Sequence, residues 1–280
     1  MKSMSISRIL LAATALLVVD GTSAPGTAAV AWSGAKAHSG DRRCSNRTLS
    51  GVYAGHFSGT ILGPDFQATG VAMARYDGNG TFTGVEHVVF NGFAPAAEWT
   101  PSTGTYTVNP DCTGRSVTYS ANAPEGLVQY FVVADDGQER RGVVDGNAFA
   151  SVDFKVSPAA DSGHGRCSNR TLSGEYSAQI LGTILGPNLA LRGLASARYD
   201  GNGNFTQVDH IVLDGMPPAE QWTPGSGTYS VNPDCTGSAV IHSQSSPDPV
   251  NLHFVVVNEG AEIHQVVDAN AVTAVATRVN

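Results

Sequence analysis

Arg75-Tyr-Asp-Gly-Asn-Gly-Thr-Phe-Thr-Gly-Val-Glu-His-Val-Val-Phe90 reads as two strand-forming runs folded about a turn, and the chain carries the pattern again from Arg198 to Leu213 as Arg-Tyr-Asp-Gly-Asn-Gly-Asn-Phe-Thr-Gln-Val-Asp-His-Ile-Val-Leu. Aspartate can begin a type I turn and Gly80 can take the left-handed position of a G1 bulge, so Asp77-Gly78-Asn79-Gly80 predicts a β-hairpin. A three-residue loop sets Tyr76 opposite Phe82 and Ala72 opposite Glu86. Side chains alternate across a strand, so Tyr76, Phe82, Glu86, Val88 and Phe90 share one face. The second copy repeats the row with Tyr199, Phe205, Asp209, Ile211 and Leu213. An acid therefore sits in the most apolar row of each copy. The opposite row of Thr83, Val85, His87 and Val89 is mixed. Glu86 and His87 point to opposite faces, as do Asp209 and His210, so neither pair is a dyad. An isolated histidine on a mixed face is expected at the surface, which is the expectation for His87 and His210.

The repetition extends well beyond the hairpin. From Cys44 to Gly114 the chain matches Cys167 to Gly237 at 45 of 71 positions without a gap, at a constant offset of 123. Such identity means tandem duplication. Pro, Ala, Ser and Gly cluster between the copies. The organisation expected is a signal segment over 1–31, a lead-in over 32–43, repeat 1 over 44–156, a joint over 157–165 and repeat 2 over 166–280. Within the first copy the strand candidates are Leu49 to Phe57, Phe66 to Tyr76, Thr81 to Phe90, Trp99 to Val108, Ser116 to Ser120, Leu127 to Ala134, Arg140 to Val144 and Phe149 to Val156. No stretch has the apolar spacing of a core-facing helix. The fold class predicted is all-β, with two tandem antiparallel barrels of about eight strands, each a bead with its own core.

Lys2 and Arg8 precede an apolar run from Ile9 to Val19, and Ala29-Val30-Ala31 offers small residues for cleavage, with Ala24 an alternative site. This is the pattern of a secretory signal. The run is too short for a spanning helix, which needs about 20 residues. Export decides how the four cysteines are read: they are even in number and show no CxxC or Cys/His clustering. Cys44 and Cys112 are spaced by 68, as are Cys167 and Cys235, so pairing within each copy is the economical connectivity. The location expected is secreted or periplasmic. A formal charge of −8, with no Lys/Arg run beyond two, leaves no electrostatic footprint for nucleic acid or an anionic membrane surface.

Several motifs fail on inspection. Asp200-Gly-Asn202-Gly-Asn204 imitates half of an EF-hand loop, but Phe205 and Ile211 stand where glycine and glutamate are needed. Gly78-Asn-Gly80 joins two strands and is not a dinucleotide loop. No cofactor and no metal-ligating cluster is expected. Asn46, Asn79, Asn169 and Asn204 begin sequons, which matter only in a glycosylating host.

The order Cys, Leu-Ser-Gly-x-Tyr, Tyr-Asp-Gly-Asn-Gly-x-Phe and Gly-Thr-Tyr-x-Val-Asn-Pro-Asp-Cys-Thr-Gly resembles a family of small, exported, mostly bacterial domains of unassigned function. The resemblance covers nearly the whole mature chain, twice. It implies a closed antiparallel barrel related in shape to lipocalins, avidin and allene oxide cyclase, and it implies export. Tandem duplication departs from the single copy usual in that family.

Function is read from the apolar rows. A carboxyl buried among Tyr and Phe is destabilised unless hydrogen-bonded or paired, and burial moves carboxyl groups toward the range of general acid–base work. Glu86 and Asp209 are thus the candidate catalytic groups, unless a one-residue slip of the turn sends them to solvent. Tyr53, Tyr76, Phe82, Trp99 and Tyr106, with Tyr176, Tyr199, Phe205, Trp222 and Tyr229, are the candidate ligand-binding aromatics, core or rim being the plainer assignment. Three classes remain open. One is a barrel that binds a small apolar or amphipathic molecule. Another is a cofactor-independent isomerase or cyclase using the acid, and the third is an exported surface or interaction protein with filled barrels. The Glu-to-Asp change between copies favours binding, since precisely placed catalysis tolerates a shorter reach poorly.

Overall fold

The computed structural model describes residues 43–63, 65–156 and 167–279. The expected signal segment, the lead-in up to residue 42 and the joint 157–165 lie outside the described residues. Sixteen strands follow in chain order: β1 Ser50–Ile61, β2 Phe66–Asp77, β3 Thr81–Phe90, β4 Thr100–Val108, β5 Thr113–Ser120, β6 Ala123–Ala134, β7 Glu139–Val144, β8 Ala148–Lys155, β9 Ser173–Ile184, β10 Leu189–Asp200, β11 Asn204–Leu213, β12 Thr223–Val231, β13 Thr236–Ser243, β14 Val250–Val257, β15 Glu262–Val267 and β16 Ala271–Arg278. Each pairs with its chain neighbour; β1 also pairs with β8 and β9 with β16, so the sheets form two closed antiparallel barrels. Closure removes every unpaired sheet edge. Several strands run longer than their sequence signal. Pairing carries β5 back to Thr113 and β6 back to Ala123, through Gly and Pro that by themselves read as turn.

The hairpin register is the expected one, with Tyr76 opposite Phe82 and Ala72 opposite Glu86. The Asp77 carboxylate fixes it: Oδ1 accepts hydrogen bonds from the backbone N–H groups of Asn79 at 2.8 Å, Gly80 at 2.9 Å and Thr81 at 2.9 Å. These bonds, that from Thr81 foremost, hold the Asp77 carboxyl down at about 2. Gly78 sits at φ +74°, where a side chain is strained.

One end of the first barrel is closed by Leu49, Tyr53, Tyr76, Phe82, Tyr106 and Phe131, with the Cys44–Cys112 disulfide packed beside them. The second disulfide is Cys167–Cys235, and both bridges join Cα atoms 5.0 Å apart. Closing a loop of this size contributes about 4 kcal/mol on the chain-entropy model. The Tyr106 hydroxyl donates to the Leu49 carbonyl at 2.7 Å, and Tyr229 repeats the bond to Leu172 at 2.8 Å. Asn46 and Asn169, the first sequon of each copy, use Oδ1 to accept the backbone N–H groups of Val108 and Val231.

The barrels are not separate beads. The outer wall of β1 and β2 packs on β14, β15 and β16, and one buried apolar cluster contains residues of both barrels. The contact is heterologous, since the two copies present different walls. Val71 is 0% exposed in this seam, whereas its counterpart Leu194 is 54% exposed; Val255 is 0% exposed and its counterpart Val132 47%. His87 is also buried here, at 1% exposure, which corrects the surface placement expected for it. Its mixed strand face looks onto the second barrel instead of water.

A histidine pair crosses the seam, His56 Nδ1 lying 2.7 Å from His264 Nδ1. The Glu262 carboxylate can only accept, so His264 donates Nε2–H to it at 3.0 Å and accepts the His56 proton at Nδ1. Burial, reinforced by the neighbouring His264 and only partly offset by Glu262, lowers the His56 pKa to about 4. The unfolded chain therefore takes up this proton first. Stability should fall by on the order of 3 kcal/mol as pH drops from about 6.5 to about 4. Thermal melts across that window should show the decline, and His56→Gln, which installs the residue present at position 179, should flatten it.

Position-matched substitutions test the asymmetry of the seam. Val255→Asp should cost about 3 kcal/mol or more, because it buries an unpaired carboxyl. Val132→Asp should stay within about 0.5 kcal/mol. Urea midpoints of the two variants make the comparison.

Candidate functional site

Inward rows of the first barrel enclose a cavity of about 170 Å³. Such a volume is comparable to the ~150 Å³ cavities that take up a single benzene-sized ring. Its walls are mostly apolar, with Phe57, Ile61, Val88, Phe90, Leu127 and Phe149 the larger contributors. Space exists because Ala68, Ala72 and Ala74 line β2, while Gly70 lies under Phe57, whose ring would be 2.3 Å from any added Cβ.

Two polar groups face this cavity. Glu86, on β3, accepts hydrogen bonds at Oε1 from the Ser120 hydroxyl at 2.7 Å and from Asn122 Nδ2 at 3.0 Å. Among the described residues no hydrogen bond reaches its Oε2. The second group is a cluster around Arg140 on β7, a residue only 4% exposed. Its guanidinium pairs with Asp153 Oδ2 at 2.6 Å, donates to Ser116 Oγ at 3.2 Å and to Gln129 Oε1, and lies 4.5 Å above the Phe131 ring. Gln129 in turn donates to Ser151 Oγ at 2.8 Å. The Arg140 Nε–H is buried with no acceptor. Burial also pushes the nearby Tyr76 phenol up, with the Arg140 charge opposing it.

The second barrel has apolar residues in place of the Arg140 cluster. At the offset of 123, Arg140, Asp153, Gln129, Ser151 and Ser116 become Ile263, Ala276, Leu252, Ala274 and Ala239, all buried. Asp209 remains, 2% exposed, with Oδ2 accepting from Ser243 at 2.9 Å and Gln207 at 3.1 Å. Among the described residues its Oδ1 has no hydrogen-bond partner.

The expected aromatics divide. Tyr53, Tyr76 and Phe82 line the cavity. Tyr106 is buried against Tyr76 with its hydroxyl taken by the backbone, so it closes the barrel end. Tyr176, Tyr199, Phe205 and Tyr229 form the equivalent stack in the second barrel, where burial raises the Tyr199 phenol and the Tyr176 hydroxyl donates to the Gly260 carbonyl. Both tryptophans leave the proposed set. Trp99 stands outside the lumen, 5.9 Å from both His87 and His253, and Trp222 is 47% exposed beside His210. Trp99 and Trp222 each stand one residue ahead of β4 and β12, whose first residues are Thr100 and Thr223. Sequence reasoning passed over Arg140, Gln129 and Asp153. An Arg and an Asp in alternating strands were a faint signal, because their shared inward face is set by closure of β7 on β6 and β8.

No family model and no curated protein matches the chain. Among solved structures it is similar to kievitone hydratase from Nectria haematococca, at 9% identity and a TM-score of 0.25, covering 84% of this chain and 92% of that one. A putative AttH from Nitrosomonas europaea matches at 7% identity and a TM-score of 0.20, over 81% of this chain and 92% of the other.

Arg140 and Asp153 should depend on each other. Asp153→Ala strands a buried guanidinium and should cost about 3–5 kcal/mol, whereas the double change Arg140→Ile with Asp153→Ala should recover most of that loss. Denaturant titration of the single and double variants provides the check.

Proposed function

We propose that the first barrel binds one small amphipathic molecule of about the size of a substituted ring, and that the second barrel is a structural partner. The observation that carries this reading is the mostly apolar cavity lined by Glu86, whose Oε2 no hydrogen bond reaches among the described residues. A donor group of a ligand would add a charge-assisted hydrogen bond there. Asp153 already offsets the Arg140 charge and Glu86 adds a further acid, which argues against an anionic ligand. The bound molecule's donor end, a hydroxyl or amine, would meet Glu86 Oε2.

Two disulfides and no free cysteine among the described residues point to an extracellular or periplasmic setting. No helix among the described residues is long and apolar enough to cross a membrane. Export through residues 1–31 is part of the reading, and N-terminal sequencing of the mature protein tests it.

Native mass spectrometry of protein purified from its own culture medium should show a single small adduct, lost in Ala72→Leu, which fills the cavity. Arg140→Ile with Asp153→Ala installs the second barrel's residues and should weaken binding of the identified ligand about 10- to 100-fold. Equal binding by wild type and both variants would put the ligand elsewhere. Glu86→Gln separates binding from isomerase or cyclase chemistry: a modest affinity change fits binding alone, while abolished conversion of a bound substrate with affinity retained would make Glu86 the acid–base group.

A further inference from the structure

We propose that the seam between the barrels holds one divalent transition-metal ion of the zinc class on His87 Nε2, His253 Nδ1 and Asp268 Oδ1. Asp268 Oδ1 lies 3.1 Å from His87 Nε2 and 2.9 Å from His253 Nδ1. The ligand atoms of the three residues all fall within 4.8 Å of one another. Tetrahedral zinc with bonds of about 2.0–2.2 Å sets neighbouring donors about 3.3 Å apart, so the cluster is already near coordinating distance.

Hydrogen-bond logic requires a cation there. The Glu98 backbone carbonyl lies 2.6 Å from His87 Nδ1, and a carbonyl only accepts, so the proton of a neutral His87 sits on Nδ1. Its Nε2 then turns a lone pair toward the Asp268 carboxylate. Two acceptors facing each other at 1% and 18% exposure repel unless a proton or a metal ion stands between them. Glu98 Oε1 is 3.6 Å from His253 Nε2, beyond hydrogen-bond reach, whereas His253 Nδ1 is 2.9 Å from Asp268 Oδ1, so a neutral His253 donates its Nδ1 proton to Asp268 and a bound ion would displace that proton. The Glu98 backbone carbonyl orients the His87 ring, the role that outer partners play around bound metals.

Two imidazoles and a carboxylate suit zinc-like ions better than calcium or magnesium, which prefer oxygen donors. The rings are stacked, with centroids 3.6 Å apart and planes 17° from parallel, so they must tilt open to aim both lone pairs at one ion. Three protein ligands leave a fourth position for water.

Among the described residues the site forms once. His210 keeps the same tie, its Nδ1 2.7 Å from the Gln221 carbonyl. The residues matching His253 and Asp268 in the first barrel are Tyr130 and Asp145, on a wall that does not face His210. Only the heterologous seam brings a β3 histidine of one copy onto the β14 histidine and the Asp268 turn of the other.

The test uses the tag-free full-length chain, stripped with EDTA and titrated with ZnCl2 by calorimetry and with CoCl2 by visible absorption. One equivalent should bind, with d–d bands of low coordination number and a raised melting temperature, whereas CaCl2 and MgCl2 should give neither. His253→Tyr, which installs the residue of position 130, and Asp268→Asn should each weaken binding more than 10-fold while melting like the wild type in EDTA. His210→Ala should leave it unchanged. Absence of stoichiometric zinc binding, or wild-type binding by His253→Tyr, would overturn the proposal and leave the cluster a proton-bridged ion pair.

Discussion

Three backbone N–H groups converge on the Asp77 carboxylate, and the pairing of β2 with β3 follows from that capped turn. Because side chains alternate, the register sends Glu86 into the lumen and His87 outward. A slip of one residue would exchange them. The cavity would then lose its acid and the seam its histidine, so the two chemically distinct features of the molecule rest on one turn. The second copy repeats the device at Asp200, whose Oδ1 accepts from Asn202 and Asn204.

Duplication gave the chain two equivalent barrels, and the heterologous contact made them inequivalent. Once β1 and β2 of the first barrel cover β14 to β16 of the second, matched positions face different surroundings. Val255 and Val132 share a place in the repeat and differ between full burial and 47% exposure. The lumens diverged in the opposite sense. The first has Arg140, Asp153 and Gln129 around open space, and the second has aliphatic side chains at the matching positions. Loss of the charged cluster stabilises a filled core, since a buried ion pair seldom exceeds well-packed apolar residues in stability.

Polar chemistry in this molecule is concentrated where apolar burial is deepest. His56, His87, His253 and His264 lie in or beside the seam, among Val71, Val89 and Val255, where each needs a partner. Acid should loosen the contact through His56, whose neutral form the seam prefers. The lumen cluster is insulated from this by the first barrel's own wall.

Sequence alone determined the duplication, the disulfide pairing and the all-β class, because each rests on local or strictly periodic signals: an invariant offset, equal cysteine spacing, and a turn that names its own register. Glu86 in the lumen was legible for the same reason, being four residues past Phe82 on a strand of known phase. Arg140 was not, because its inward face depends on closing eight strands into a ring. His87 was assigned to the surface because nothing local announces that a second barrel will cover it. The cluster of His87, His253 and Asp268 escaped any motif, since its members come from different copies and meet through packing of two outer walls. Tertiary structure decided those matters by bringing distant residues together, and no short-range pattern encodes that contact.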